Sequence, residues 1–259
     1  MFGLCPNIGS TFMKISGSIS VRRGKLALSL FSYLLLAGMV LFTPAAVQGG
    51  SFKVGSFTKT TVGAPASQTV AHGLGVIPKA IIFWTESRTA TMFGTSRHTS
   101  IGFTDGTANE RSASAASQDN AGFSNASRRI ADKAITIVQW GETVLAEANR
   151  TAWDATNFTL NWTTNDANAY VIHFIAIGGT EISAKVVDWT MPVATGNFSV
   201  TGIGFTPVVV IHAHAGSGFT SAIPGSQTHG AMDLGVMDAG GAQWAKATLT
   251  VDNVTTELV

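Results

Sequence analysis

Two histidines set two residues apart, His212 and His214, stand in the apolar run GFTPVVVIHAHAG at positions 204–216. On a strand, residues two apart point to the same face, so this pair has a spacing that suits chelation of a metal ion. A zinc site would need at least one more ligand, and His229 or Asp233 could serve, although nothing in the sequence places them nearby. The alternative is that the imidazoles form a polar sheet face or line a crevice.

Two other histidines are each followed at a similar distance by an aspartate across a glycine-containing stretch: His98 by Asp105, and His229 by Asp238. A paired histidine and aspartate can orient a nucleophile or bind sugar hydroxyls. The structural alternative is that each aspartate closes a turn by accepting hydrogen bonds from backbone N–H groups, and each histidine caps a strand end. We favour the structural alternative and assign no catalytic residue.

A catalytic reading has little other support in the sequence, which contains no G-x-S-x-G elbow, H-E-x-x-H motif, P-loop or dinucleotide fingerprint. A secreted hydrolase that uses one of the two His and Asp pairs, with a serine such as Ser96 or Ser226, remains the alternative function. Among the six tryptophans, most are expected in the core, and Trp84 and Trp244 are kept as candidates for stacking on a sugar ring. No cofactor is expected.

These residues lie in short runs rich in valine, isoleucine, phenylalanine, tryptophan and threonine, separated by glycine, asparagine, aspartate, serine and proline. Such runs fit a pleated, half-buried surface, and the residues between them form turns. The segment at 142–155 has a helix-like composition but no 3.6-residue period, so we expect a strand there. The sequence therefore predicts an all-β fold, an antiparallel β-sandwich of jelly-roll-like or Ig-like type. The predicted strand runs are KAIIFW, AITIVQW, FTLNW, AYVIHFIAI, FSVTGIGF and PVVVIHA.

The N-terminus has the order of a secretory signal: four basic residues before position 26, an apolar run of 17 residues at 26–42, and then small and turn-forming residues. The run is somewhat short for a membrane span of about 20 residues, so an uncleaved anchor is the alternative. We expect a signal peptide with an upstream extension at 1–49 and a secreted or cell-surface location. Cleavage would also remove Cys5, the only cysteine, which would leave no disulfide to stabilise the exported part.

The chain also carries an internal repeat with a spacing of about 130 residues. The matched stretches occur in the same order in both halves, which predicts a first β-sandwich module at 50–184 and a second, incomplete copy at 185–259. Aligning Pro78 with Pro207 puts Phe83 opposite His212, so the first copy has no histidine there, which weakens the metal interpretation. The matches are KVGSFT with KVVDWT, GTSRH with GSQTH, IGFTD with LGVMD, and Asp119–Asn120 with Asp252–Asn253.

The stretches KVGSFT, HGLGVIPKAIIFW, IGFTDG, NFTLNWTTNDANAYVIHFIAIGG and SVTGIGFTP resemble a poorly characterised module of bacteriophage tail-associated virion proteins and bacterial surface proteins. The resemblance covers roughly residues 53–259. It implies a β-sandwich displayed on a particle or cell surface, with binding or assembly as its task and no catalytic residues. A signal peptide departs from this pattern, because virion proteins assemble in the cytoplasm. It favours an exported bacterial protein or a host gene of viral descent.

We therefore expect an exported, non-catalytic binding or structural module, adhesive or glycan-recognising, whose partner is a cell-surface glycan or protein. Nucleic acid is not expected, since no run of lysine and arginine lies outside the N-terminus to bind phosphates. Contact with a membrane is expected only through an uncleaved signal segment. A copy that lacks its last strands would expose apolar faces and unpaired edges, so the sequence is a fragment, the half-module packs on the first copy, or the chain self-associates by strand sharing.

Overall fold

The chain is described here by a computed structural model, which covers residues 49–90, 96–107, 109–215 and 227–255. Within these ranges the regular structure is entirely β-strand, in three antiparallel sheets. The predicted all-β class is confirmed. The described residues contain no helix of the length and hydropathy needed to span a bilayer. Cys5 and the apolar run at 26–42 lie outside the described ranges.

Fourteen strands make up these sheets. They are β1 (Ser51–Thr58), β2 (Ala66–Ala71), β3 (Pro78–Thr85), β4 (Arg97–Asp105), β5 (Glu110–Ser117), β6 (Ala126–Ala131), β7 (Ile135–Gln139), β8 (Thr143–Trp153), β9 (Asn157–Thr164), β10 (Val171–Gly178), β11 (Val209–His214), β12 (Gln227–Thr228), β13 (Gly230–Asp238) and β14 (Gln243–Thr250). The large sheet has the order β1-β10-β3-β4-β5-β6-β12, the small sheet β2-β9-β8-β7, and the third sheet β11-β13-β14.

The large and small sheets pack face to face around the main hydrophobic core, which confirms the predicted sandwich. Strands β9 and β10 show why the chain folds this way, since buried and partly exposed residues alternate along both strands. On β9 the buried side chains are Phe158, Leu160 and Trp162, which one face of a pleated strand collects at a period of two. Phe158 makes edge-on contacts with the rings of Phe83 and Phe174 on the opposite sheet. The helix-like segment at 142–155 forms β8, so the strand predicted there is also confirmed.

A buried lysine connects two loops of this sandwich. The Lys59 side chain is almost fully buried, and its ammonium group lies 2.9 Å from the Asp166 carboxylate and 2.5 Å from Oδ1 of Asn165. It also lies over the rings of Trp162 and Tyr170. A buried charge is tolerated when it is paired and hydrogen-bonded, so this group, which we call the Lys59 clasp, ties the β1–β2 connection to the β9–β10 connection.

The third sheet packs on the outer face of the large sheet. Its apolar contact is a small cluster in which Met232 and Ala215 meet Ala113 and Ala115 of β5. Strand β12 pairs with β6 over two residues, and the chain then turns through His229 into β13. Only the beginning of β13 is buried, and Leu234, Val236 and Met237 beyond it are exposed. The third sheet therefore projects from the sandwich instead of lying flat on it.

The strands β3–β4–β5, which we call the first meander, and β11–β13–β14, the second meander, share one pairing register. Ile82 pairs with Phe103 in the first meander, as Ile211 pairs with Val236 in the second. The other cross-strand pairs of the second meander correspond in the same way to pairs of the first. The match extends to backbone conformation, because Ser96 and His229, at equivalent positions before β4 and β13, have φ angles of 66° and 63°. This equivalence of Ser96 with His229 is two residues out of step with the predicted match of GTSRH with GSQTH, which aligns His98 with His229. The division into two modules stays a prediction from the sequence.

The segments that match β1 and β2 in the second half are not strands. Residues 185–190, which match part of β1, and the run FSVTGIGF at 198–205 have no regular structure, so the strand predicted for FSVTGIGF is wrong. In the first half, β1 pairs only with β10 and β2 only with β9. The described residues contain no equivalents of β9 and β10 beside the second meander, and an extended segment without a hydrogen-bonding neighbour does not form a strand.

A pair of equivalent glycines tests how differently the two meanders are covered. A Cβ atom at Gly102 would overlap the Ala134 carbonyl oxygen, whereas at Gly235 the nearest atom lies 3.8 Å away. We expect Gly102→Ala to lower the free energy of unfolding by about 1–3 kcal/mol, because the backbone at Ala134, next to β7, must move away. Gly235→Ala should change stability by less than about 0.5 kcal/mol. Denaturant unfolding of both variants measures the difference, and equal effects would contradict this account of the covering.

Candidate functional site

The two aspartates of the predicted His and Asp pairs close equivalent turns. Asp105 and Asp238 both end the second strand of a meander, and each accepts a hydrogen bond at Oδ1 from a backbone N–H of the turn that follows: from Thr107 at 2.7 Å and from Ala242 at 3.0 Å. Their own N–H groups also donate to equivalent carbonyls, those of Asn109 and Ala242. Both carboxylates are therefore turn-closing groups, as the structural alternative predicts.

Asp105 has a second role that Asp238 lacks. It is fully buried, and its Oδ2 accepts the N–H of Val186 at 2.8 Å, with Lys185 Nζ at 4.0 Å. Burial acts to raise the pKa of Asp105, but the hydrogen bonds from Thr107 and Val186, together with Lys185, outweigh it and hold the pKa below its usual range. The carboxylate anchors the irregular segment after the first sandwich to the end of β4.

His98 is a packed and satisfied histidine. Its Nδ1 lies 3.2 Å from the carbonyl oxygen of Val138, which requires the proton on Nδ1, and its ring packs against Trp140. Burial lowers the pKa of His98 below its usual range; the bond to Val138 opposes this shift, and the charge of Arg88 adds to it. His98 thus links β4 to β7 through the hydrogen bond from its Nδ1–H to the Val138 carbonyl oxygen.

Neither predicted His and Asp pair is brought together. His98 and Asp105 lie near opposite ends of β4, and their odd separation places them on opposite faces. His229 and Asp238 likewise flank opposite ends of β13. The nucleophile proposed for them does not assemble either: Ser96 Oγ accepts the N–H of Asp119 at 3.2 Å, and Ser226 lies outside the described residues.

His229 instead belongs to the corner between β12 and β13. Its Nδ1 accepts the backbone N–H of Asp252 at 2.8 Å, so in the neutral ring the proton is on Nε2, which is a donor. The Arg128 guanidinium donates to the carbonyl oxygens of Thr228 and His229 at 2.7 and 3.2 Å. This arrangement holds the imidazole of His229 in one orientation and one tautomer.

The H-x-H pair divides between two environments. His214 Nδ1 lies 3.2 Å from the Asp233 carboxylate on the neighbouring strand, so Nδ1 carries the proton and donates. His212 contacts the ring of Trp189 edge-on, and Trp189 stacks on Phe198. The two histidines therefore share a sheet face, as predicted, but they are engaged with different partners.

A groove at the start of the third sheet brings several of these residues together. Its volume is about 430 Å³. Two imidazoles, a carboxylate and a guanidinium border it, beside the exposed side chain of Leu249. The sequence singled out most of these polar residues but did not place them side by side. The groove is lined by Arg128, His214, His229, Ala231, Asp233, Ala247, Thr248 and Leu249.

The described residues contain no group of three or more histidine, cysteine, aspartate or glutamate side chains arranged to hold a metal ion. The two tryptophans suggested for sugar stacking are both at the surface, but at different places. Trp84 stacks on His173 on the large sheet, and Trp244 is 70% exposed on β14. Neither lines the groove.

Arg128 is the groove residue that sequence reasoning missed. It lies on β6 and contacts the carbonyl of Thr228, which is 100 residues away in the chain. The run ASRRIA around it forms β6, in which Arg128 and Arg129 are both partly buried. No local signal distinguishes Arg128 from Arg129, because its position depends on the pairing of β6 with β12.

The equivalent aspartates give a matched test of anchoring. We expect Asp105→Asn to lower the free energy of unfolding by about 1–3 kcal/mol, because it weakens hydrogen bonds to a buried charged group. Asp238→Asn, at an exposed turn, should cost less than about 1 kcal/mol. Because folding depresses the pKa of Asp105, its stabilisation is present above the unfolded-state value of about 3.8 and is lost as pH falls. Urea unfolding at neutral pH and near pH 3 should show the Asp105→Asn deficit shrinking; a pH-independent deficit would contradict this.

The sheet-face interpretation of the H-x-H pair predicts little response to zinc. A metal bound to the folded state at 100 times its dissociation constant would add about 2.7 kcal/mol of stability. We expect thermal melting of the protein to shift no more with zinc than that of the double variant His212→Ala and His214→Ala. A zinc-dependent rise in melting temperature that a chelator reverses and the double variant lacks would restore the metal-site hypothesis.

No protein-family model, no curated protein and no solved structure matches the chain. The resemblance to phage tail-associated and bacterial surface modules stays a prediction from the sequence.

Proposed function

We propose that the exported part of this chain is a non-catalytic binding module that recognises a hydroxyl-rich ligand, a cell-surface glycan, in the groove at the start of the third sheet. The observation that carries the proposal is the groove's polar border, where two imidazoles are fixed in complementary tautomers beside a carboxylate. The leader and the resemblance described above support a location outside the cell, on the surface or on a particle.

The groove suits hydroxyl groups because it offers both donors and acceptors. The ring of His229 accepts through Nδ1, which leaves Nε2–H as a donor, whereas the Asp233 carboxylate can only accept. A sugar hydroxyl donates and accepts at once, so such a mixture satisfies it better than a site of one kind. The exposed Leu249 at the rim adds an apolar surface that the carbon face of a sugar ring can cover.

Catalysis is the less favoured alternative. A hydrolase needs a nucleophile within hydrogen-bond reach of its base. The histidines of the two predicted pairs are bonded elsewhere, His98 to the carbonyl oxygen of Val138 and His229 to the N–H of Asp252. His214 is oriented by the Asp233 carboxylate, as a base can be, so it is the histidine through which the hydrolase alternative is tested.

A glycan array probed with the purified protein tests the proposal. We expect at least one glycan class to bind, and Asp233→Ala to weaken that binding by about tenfold or more, since about 1.4 kcal/mol of lost hydrogen bonding gives this factor. His229→Asn should weaken it too, because asparagine tolerates the positive φ of this position but removes the Nε2–H donor. His173→Ala, at the stacked pair with Trp84, is the matched control and should bind as the wild type does.

Two results would overturn the proposal. One is the absence of any bound glycan on the array and on isolated cell-wall fractions. The other is turnover of chromogenic esters or glycosides that disappears in His214→Ala, which would favour the hydrolase.

A further inference from the structure

Strand β14 presents an edge whose equivalent in the first meander is paired. Its counterpart there is β5, whose outer edge pairs with β6 from Ser112 to Ser117. Beside β14 no other described strand is present on that side. The same backbone, in the same register, thus accepts a neighbouring strand in one meander and presents the corresponding N–H and C=O groups at an edge in the other.

The β14 edge has few of the features that keep edge strands apart. Natural edges are shortened or bulged, or they carry proline and charged side chains, especially lysine. Strand β14 is eight residues long, pairs with β13 without a register shift, and contains no proline and a single charge, Lys246. Residues 243–247 are all exposed. By contrast, β12 has two residues and β7 has a register shift. Strand β1 is an edge as long and as regular as β14, so the feature that singles out β14 is the pairing of its equivalent, β5, with β6.

We propose that two copies of this chain associate by antiparallel pairing of β14 with β14 about a twofold axis, which joins their third sheets into one six-stranded sheet. A twofold axis makes the contact self-complementary and closed. Edge addition supplies main-chain hydrogen bonds on both strands. The occupant is a second copy because an antiparallel neighbour of the same length and twist is what the β5–β6 pairing shows this backbone to accept.

The side chains select one register. Opposed residues of an antiparallel pair point to the same face of the sheet. A twofold axis must therefore pass between two copies of one residue. Near the middle of β14, that residue is Lys246 or Ala247. An axis at Lys246 sets two lysines against each other, which is destabilising. An axis at Ala247 sets Lys246 opposite Thr248, and Ala245 opposite Leu249. We therefore place Ala247 on the axis.

This association depends on the backbone edge of β14, which lies beside the proposed glycan groove, because Ala247 and Leu249 also line that groove. The two proposals are tested separately, since cross-linking measures the strand register and Asp233→Ala measures glycan binding. The association also accounts for the exposure of Trp244 and Leu249, both 70% exposed, which in the joined sheet acquire cross-strand neighbours. The interface is small compared with a standard interface of about 800 Å² per partner. We expect a concentration-dependent dimer.

Disulfide trapping tests the register. In the full chain with Cys5→Ser, Ala247→Cys should form a disulfide-linked dimer under mild oxidation, because Cβ atoms of opposed residues lie about 4.5–5.5 Å apart. Ala245→Cys is the matched control on the same strand and face. Its two copies would be offset by four residues, or about 13 Å along the strands, and should cross-link at least tenfold less. Equal trapping at both positions, or none at Ala247→Cys, would overturn the proposal.

Sedimentation velocity over a concentration series tests the association without cysteines. We expect the wild type to shift from monomer towards dimer, and Ala247→Lys to stay monomeric, because two charges then meet on the axis. Val54→Lys places the same charge on β1, the edge of the large sheet, and should dimerise as the wild type does. A wild type that is monomeric throughout, a polymer in place of a dimer, or a Val54→Lys variant that loses association would each overturn the proposal. Circular dichroism confirms that each variant is folded.

Discussion

Every strand of this protein depends on having a neighbour to bond its backbone, and the chain meets that need over very different distances. The meanders bond strands that follow one another, whereas β1 and β2 bond only β10 and β9, from the other end of the first sandwich. Where the distant partners β9 and β10 are present, the segments that pair with them form the strands β2 and β1. Where the described chain lacks such partners, after residue 184, the meander persists and the flanking segments are irregular. The difference follows from backbone hydrogen bonding and not from side-chain preference, since FSVTGIGF is as rich in strand-forming residues as β2.

The same backbone also carries different chemistry in its two surroundings. Phe83 is buried in the sandwich, and its equivalent in the second meander is His212, which contacts Trp189. Thr85 and Ser100 are a buried cross-strand pair, and their equivalents His214 and Asp233 are bonded to each other at the groove. The small sheet covers one face of the first meander. On the equivalent face of the second meander, histidine and aspartate side chains take its place. The loss of the covering sheet and the presence of these histidine and aspartate side chains thus coincide on one sheet face.

Much of the fold could be predicted because its signals are local. Alternation along β9 and β10 and the turn residues between strands give the class and the sandwich, and β8 followed from the missing helical period. The His and Asp pairs were misleading as chemical sites, yet the odd separation of His98 and Asp105 already places them on opposite faces of a strand. The contact of His214 with Asp233 could not be predicted from spacing, because it depends on the register of β11 against β13. Arg128 was out of reach for the same reason.

The Lys59 clasp joins two segments that are far apart in the sequence, and this separation affects how the first sandwich can fold. Its two sides, Lys59 and Asn165, are 106 residues apart, so the amino-terminal strands leave the ribosome long before the strands that pair with them. Contacts of such long range are slow to form, and unpaired strands of an unfinished sandwich are prone to aggregation. The first sandwich can close only after β9 and β10 are free to fold, whereas either meander can form as soon as its own three strands are available. The strands of each meander follow one another in the chain, so they can pair before the strands of the first sandwich that depend on β9 and β10.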